Sequence, residues 1–331
     1  MSLFGKKPAA AVTTVFYATD LHGSERTFRK FVNAGKFYNA RVLIMGGDII
    51  GKMAIPIIRE ANGHYRATLQ GRVERVETEA ELQNLQERIG ILGFYSRIMD
   101  EDELHALQAD PSGVDALIHE LARQRLNAWI ELAETRLRGT GITCYVTGGN
   151  DDYPDVLQAI KDSGAQTFID CEGVVVSIDD RHTMISVGNS TLTPWKTPRE
   201  VTDEDLGRII DGMIAQVTDM EHCVFNFHDP PRDSTLDTCP ELDWDTDPPT
   251  PIVKAGQIVM HGAGSLSVRK AIEIHQPVLG LHGHIHESPG MARLGRTVCI
   301  NPGSEYGEGV LRGVLVHLSG GKVESYQMTR G

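Results

Sequence analysis

The sequence predicts an α/β protein built around a parallel sheet, and three segments carry that expectation. Residues 12–19 are apolar and β-branched and stop at Asp20. Residues 41–45 form a second short apolar run, ending in Gly46-Gly47-Asp48. Residues 142–147 form a third, ending in Gly148-Gly149-Asn150. Their length and residue types make each a strand. Ser24 can cap a helix after the first, with Phe28, Phe31 and Val32 on its inner face. Residues 153–163 read as a helix after the third. Strand, loop, helix, strand is the rhythm of βαβ units, whose ligands gather beyond the carboxyl ends of the strands. The polar residues just named fall there.

Between the second and third strands lies an insert, residues 52–140, expected to be mainly helical. Residues 65–77, with Gly71 in the middle, fit a small hairpin. Leu82, Leu85, Ile89 and Leu92 recur at helical spacing, as do Leu117, Leu121 and Trp129. Asp110-Pro111-Ser112-Gly113 separates two helices. A connection this long has structure of its own. It reads as a cap or as an arm for homo-oligomerisation, and its apolar stripes read as internal packing before a partner surface.

The second half is richer in β-structure. Residues 174–177, 183–187, 223–227, 278–281, 297–300, 310–317 and 323–328 all read as strands, with Gly320-Gly321 a tight turn between the last two. Residues 229–251, rich in Pro and Asp, are expected to form a long surface loop. Its carboxylates, Asp233, Asp237, Glu241, Asp243, Asp245 and Asp247, would stand at the rim of any site that includes His228 and repel polyanions.

Composition narrows the class. Hydrophobic residues make up 40% and charged residues 23% of the 331, a globular balance with material for a large core. No run of about 18 apolar residues occurs, so no transmembrane helix is expected. Residues 1–11, with Lys6 and Lys7, read as a frayed start and not as a secretion signal. Five cysteines, an odd number without a CxxC pair, read as reduced core thiols of a cytoplasmic protein. The net charge of −13 comes without any Lys/Arg cluster, which disfavours nucleic acid as a bulk substrate.

The chemistry lies at the strand ends. Asp20-Leu21-His22, Gly47-Asp48 and Gly149-Asn150 are followed by His228, just after the apolar run 223–227, and by Gly283-His284-Ile285-His286, just after 278–281. Residues two apart on extended chain face the same side, so the Asp-x-His and His-x-His pairs can each point at a common centre. Mixed Asp, His and Asn donors suit borderline divalent cations such as Mn, Fe, Zn, Ni or Co, whereas calcium or magnesium prefers nearly all-oxygen sites. A carboxylate can bridge two cations, and Asp48 is the natural candidate. A single buried histidine is more often a core residue than a ligand; five segments with the right donors, each directly after a strand, are another matter.

In these motifs the sequence resembles the calcineurin-like metallophosphoesterase superfamily, whose signature is DxH, GDx, GN(H), a separate H and GHxH. The resemblance runs from about residue 12 to 317, the insert excepted. It implies an αββα sandwich of two mixed β-sheets flanked by helices, one domain over residues 12–331 interrupted by the insert, with a dinuclear site at one edge. Carried over residue by residue, one metal takes Asp20, His22, Asp48 and His286, and the other Asp48, Asn150, His228 and His284. The implied reaction is hydrolysis of a phosphoester by a hydroxide shared between two cations, without a covalent nucleophile.

One position departs from the pattern. Many members carry a His after Gly-Asn that protonates the leaving group; here the sequence reads Asn150-Asp151-Asp152. Members without that His lean toward phosphodiesters. A carboxyl such as Asp151 starts at about 3.9 and two cations would lower it further, leaving no proton to give at neutral pH. Asp151 and Asp152 could instead orient ligands, or Asp152 could cap the helix that follows. His261 and His282 are spare histidines near the motifs. His261, before Gly262-Ala263-Gly264-Ser265, is the candidate donor, and His282 reads as structural. Asn150 can also touch substrate. Trp195 can wall a substrate base or aryl group, or simply anchor its loop. Asn301-Pro302-Gly303-Ser304 matches a stretch that lies near the site in the resembling family. A small phosphodiester is the expected substrate; a phosphomonoesterase and a non-catalytic binding module on the same fold are the alternatives.

Overall fold

A computed structural model describes residues 12–331; the reading of residues 1–11 lies outside them. Two six-stranded mixed sheets pack face to face. The first runs Lys322–Arg330, Arg312–Ser319, Thr13–Ala18, Val42–Gly46, Thr143–Thr147, Phe168–Asp170. The second runs Gly290–Leu294, Thr297–Asn301, Leu279–Leu281, Cys223–Phe227, Thr183–Val187, Val176–Ser177. In each, four neighbouring strands are parallel and the remainder antiparallel.

The four layers follow from period-two patterning. In Thr13–Ala18, Val15 and Tyr17 face the second sheet and pack with Val224, Leu279 and Ile300. Phe16 and Ala18 face the other way, onto the helices Glu25–Phe37 and Pro111–Leu137. On the far side, Phe225 and Ile185 meet Leu206, Ile210, Val268 and Ile272 of the helices Asp203–Ile214 and Leu266–His275. The chain is therefore an αββα sandwich.

The insert is mainly helical, in Glu79–Ile91, Glu101–Gln108 and Pro111–Leu137, but it is not helical throughout. It contains a four-stranded sheet, in the order Arg72–Val76, Tyr65–Leu69, Ala54–Arg59, Tyr95–Met99, of which only the hairpin was legible. Leu82, Leu85 and Ile89 of Glu79–Ile91 pack on that sheet. The long helix Pro111–Leu137 is no projecting arm. It lies in the outer helical layer of the sandwich, where Trp129 stacks on Phe28 with ring centroids 4.0 Å apart. Among the described residues, no helix is long and apolar enough to cross a membrane.

The segment after His228 also differs from the surface loop expected. Residues Asp229, Ser234, Leu236 and Asp237 are buried. Asp237 accepts hydrogen bonds from the amides of Asp233 (2.8 Å), Ser234 (3.1 Å) and Gly264 (3.1 Å), which satisfies a carboxylate far better than solvent exposure on a rim would suggest. Beyond it, Thr238–Pro240 pairs with Met260–Gly262, and the short strands Leu242–Asp243 and Thr250–Pro251 pair with each other. The segment is a small β-flap.

Candidate metal centre

The parallel strands of both sheets end at one edge, and their loops interlock there. The amides of Asp20, His22 and Gly23 donate to the carbonyls of Gly47, Asp48 and Ile49 at 2.8–2.9 Å. Asp152 ties in the third loop: its carboxylate accepts from the amides of Ile49 (3.0 Å), Ile50 (2.9 Å) and Gly149 (2.7 Å). It does not cap the next helix, whose N-cap is Tyr153. Asp20, His22, Asp48 and His284 all have positive φ, between 42° and 65°. Such conformations cost about 1–3 kcal/mol each for non-glycine residues and persist where surroundings over-determine them, typically at functional sites. Gly149 is required by space: a Cβ there would overlap the Asp48 carboxylate and amide.

These loops bring the seven expected side chains together. Asp20, His22 and His286 form one group, and Asp48, His228 and His284 another, each with donor atoms within 4.8 Å of one another. The Nε2 atoms of His22 and His286 are 3.1 Å apart, and His286 Nε2 is 3.3 Å from Asp20 Oδ1. Asp48 Oδ2 lies between the groups, 3.7 Å from His22 Nε2 and 3.4 Å from His228 Nε2. Asn150 Oδ1 is 3.1 Å from His228 Nε2. Spacings a little above 3 Å are the edges of a polyhedron about a cation bound at about 2.1 Å, so the donor set fits divalent metal ions.

Partners behind the donors fix their orientation, as metal ligands require. His228 Nδ1 donates to the Gly46 carbonyl at 2.9 Å, leaving Nε2 for the site. Asn150 Nδ2 donates to Thr197 Oγ1 at 2.9 Å, which turns Oδ1 inward. Asp48 Oδ1 accepts from the Asp151 amide at 2.9 Å, and Ser304 Oγ donates to the Asp20 carbonyl at 2.6 Å. The stretch 301–304 therefore does border the site.

Electrostatics without a cation are strongly polarised. Burial pulls His22 down to about 3 and His284 to about 4. Burial also opposes charge on His228, but the Asp48 and Asp20 carboxylates outweigh it and hold it at about 10. Asp48 is held below its ordinary value because His228 and His22 outweigh its burial. Burial, with the Asp48 charge, pushes Asp151 up to about 6, against the pull of Lys52. Two bound cations would act in the opposite direction.

Lys52, paired with Asp151, was not legible as a site residue, although it stands four positions after Asp48. Tyr306 was missed as well; its ring lies 4.5 Å from that of His22. A cavity of about 1120 Å³ opens above the donors, with Lys52, Trp195, Trp244, His261 and Tyr306 among its lining residues. His261 is exposed, sits on the flap strand Met260–Gly262, and places Nε2 3.6 Å from Cys239 Sγ. His282 is fully buried, donates to the Phe227 carbonyl at 2.9 Å, and is pushed down to about 4 by burial. It does not line the cavity.

The αββα fold is shared with solved chains at low sequence identity, and the motifs read from the sequence stand at its strand ends. No family model matches the sequence. One solved chain superposes with a TM-score of 0.55 at 14% identity, covering 97% of this chain and 99% of its own. TT1561 of Thermus thermophilus superposes with a TM-score of 0.50 at 12% identity, covering 93% of this chain and 99% of its own. These likenesses concern the fold. In sequence, the uncharacterized protein MJ1162 of Methanocaldococcus jannaschii is 31% identical over 120 residues, 36% of this chain. The match spans 46% of that relative's length.

Proposed function

We propose that the chain is a two-metal phosphoesterase that hydrolyses small phosphodiesters. The observation that carries this reading is the placement of Asp48 between two donor groups, 3.7 Å from His22 and 3.4 Å from His228. On this reading Asp48 bridges, Asp20, His22 and His286 hold one cation, and Asn150, His228 and His284 hold the other. When bound, a divalent pair supplies Lewis acidity to the phosphoryl oxygens and to the attacking water. Mn, Fe, Zn, Ni and Co all suit these donors.

The protein's own groups favour a diester. A diester carries one negative charge, whereas a monoester approaches two near neutral pH. Asp151, ionised above about 6, stands beside the donors and opposes the extra charge. It has no proton to give at pH 7.5, so good leaving groups are preferred. His261, on the cavity wall, is the one histidine outside the donor set that we assign as a proton source for poorer ones. Lys52 favours the monoesterase alternative, since its ammonium faces the same cavity. A cytoplasmic location is supported by the free thiols, four of which are buried.

The test is a comparison of bis(4-nitrophenyl) phosphate with 4-nitrophenyl phosphate, using protein loaded with each cation in turn. A higher kcat/KM for the diester supports the proposal. Preference for the monoester would move the assignment to the alternative, and no hydrolysis with any cation would overturn both.

A further inference from the structure

We infer that one arm of the substrate is a flat aromatic group, stacked on Trp195 and Trp244. This rests on the phosphodiesterase reading for the position of the phosphate, and it names the substrate class that the reading leaves open.

The chain has three tryptophans. Trp129 is buried in the core, but Trp195 is 63% and Trp244 59% exposed. Both line the cavity whose floor is the donor cluster. Large indole surfaces left in water lose the stabilisation that burial would bring, unless a ligand covers them. Isolated exposed apolar residues need no explanation, but a cluster does. Here Leu192, Pro194, Leu242 and Pro251 line the same space.

The two indoles come from different elements, and the loop that carries each is held in place. Trp195 lies in a loop gathered around Glu200, whose carboxylate accepts from the amides of Thr193 (3.1 Å) and Thr197 (2.9 Å). Thr197 also accepts from Asn150, so this loop is fixed relative to a donor of the candidate metal centre. Trp244 sits in the flap turn between Leu242–Asp243 and Thr250–Pro251. That turn is closed by Asp245 N to Asp243 Oδ1 (3.0 Å) and Thr250 N to Thr246 Oγ1 (2.9 Å). Prolines at 194, 240, 249 and 251 stiffen the walls. Little conformational freedom is then lost when an arm enters, which is the condition for affinity from stacking.

Planar indoles select planar partners, and each stacked ring is worth enough to change affinity by about tenfold or more. The occupant is one phosphodiester and not a nucleic-acid strand. Besides Lys52, Arg232 is the single Lys or Arg lining this cavity, too little to follow a backbone of phosphates.

The experiment keeps the leaving group constant. 4-Nitrophenyl diesters carrying methyl, n-octyl or 2-naphthylmethyl as the second arm are compared with cation-loaded protein. The naphthylmethyl ester should exceed the methyl ester in kcat/KM by about tenfold or more, and the octyl ester by much less. In Trp195→Ala/Trp244→Ala the naphthylmethyl to methyl ratio should fall toward one, while Trp→Phe at both positions should keep most of it. Binding is read separately with methyl(4-nitrobenzyl)phosphinate, a monoanion whose two P–C bonds leave no ester to hydrolyse and whose nitroaryl group quenches indole emission. Saturable quenching is expected in the parent, and none in the double alanine variant, where buried Trp129 alone emits. Equal kcat/KM for all three esters, or an octyl ester as good as the naphthylmethyl, would overturn the inference and leave the phosphodiesterase reading intact. Saturable quenching without hydrolysis of any diester would uphold the aromatic subsite while the phosphodiesterase reading fails. Absence of saturable quenching in the parent overturns the subsite.

Discussion

His22 and His286, 264 residues apart in sequence, face each other with their Nε2 atoms 3.1 Å apart. Two such nitrogens cannot both carry protons in that contact, and a cation that accepts both lone pairs removes the conflict. The same competition governs the whole cluster. In cation-free protein, His228 is held at about 10 and His286 is raised, both above the ordinary histidine value.

Loading with a divalent cation should therefore release protons. His228 is protonated at pH 7.5 without the cation and must be neutral to ligate, so about one proton per chain should appear from it, and the upward shift of His286 acts in the same direction. An indicator titration in weak buffer measures this. The sign for stability follows from the same shift. Stabilisation of cation-free protein by charged His228 is fully present below the unfolded value of about 6.5 and is lost as pH rises through about 10. Proton uptake on loading would contradict the assignment of these histidines as ligands.

On the proposed reading, Asp151 should set the dependence on leaving group. At pH 7.5 it lies above its raised value of about 6 and is ionised. Aryl diesters should be cleaved well and alkyl diesters poorly, giving a steep slope of rate against leaving-group pKa. Asp151→His should flatten that slope and raise alkyl turnover by about tenfold or more. A shallow slope in the parent, unchanged in the variant, would mean that another acid, His261 first, already supplies the proton.

Lys52 should matter for binding. Its ammonium lines the cavity and is otherwise occupied by Asp151. Lys52→Met leaves that carboxylate without its partner beside an anionic substrate, so KM should rise by about tenfold, with a smaller fall in kcat. Steady-state kinetics on one aryl diester checks this, and an unchanged KM would remove Lys52 from the binding site.

Gly149→Ala tests whether the strand-end loops must pack this closely. The added methyl would overlap Asp48. Cation stoichiometry should fall and kcat should drop by about a hundredfold or more, as for small displacements of positioned groups. Circular dichroism should show the fold retained, because the change sits at the sheet edge and not in a core layer. Full cation binding in this variant would show that Asp48 has room to move.

Much of this was legible in the sequence because the relevant signals are local. Strands 183–187 and 223–227 could be read to the residue, since apolar runs bounded by turn residues leave little freedom. The donor residues were legible for a similar reason: each follows its strand directly, and parallel topology gathers strand ends. Other features depend on pairing between distant segments. Ala54–Arg59 pairs with Tyr65–Leu69 on one side and, on the other, with Tyr95–Met99 across an intervening hairpin and helix. The acidic segment after His228 has a polar composition, but its carboxylates turn to backbone amides or solvent while Pro240, Leu242 and Trp244 line the cavity. Trp244 and Lys52 had no motif to mark them, and only the fold brings them to the wall of one cavity.

The most direct test of the dinuclear site is metal content per chain after loading with manganese and removal of excess, measured by mass spectrometry for the parent and Asp48→Asn. A bridging Asp48 predicts about two ions per chain in the parent, and loss of both in the variant, since a neutral amide bridges poorly. One ion per chain in the parent, or two retained in Asp48→Asn, would contradict it.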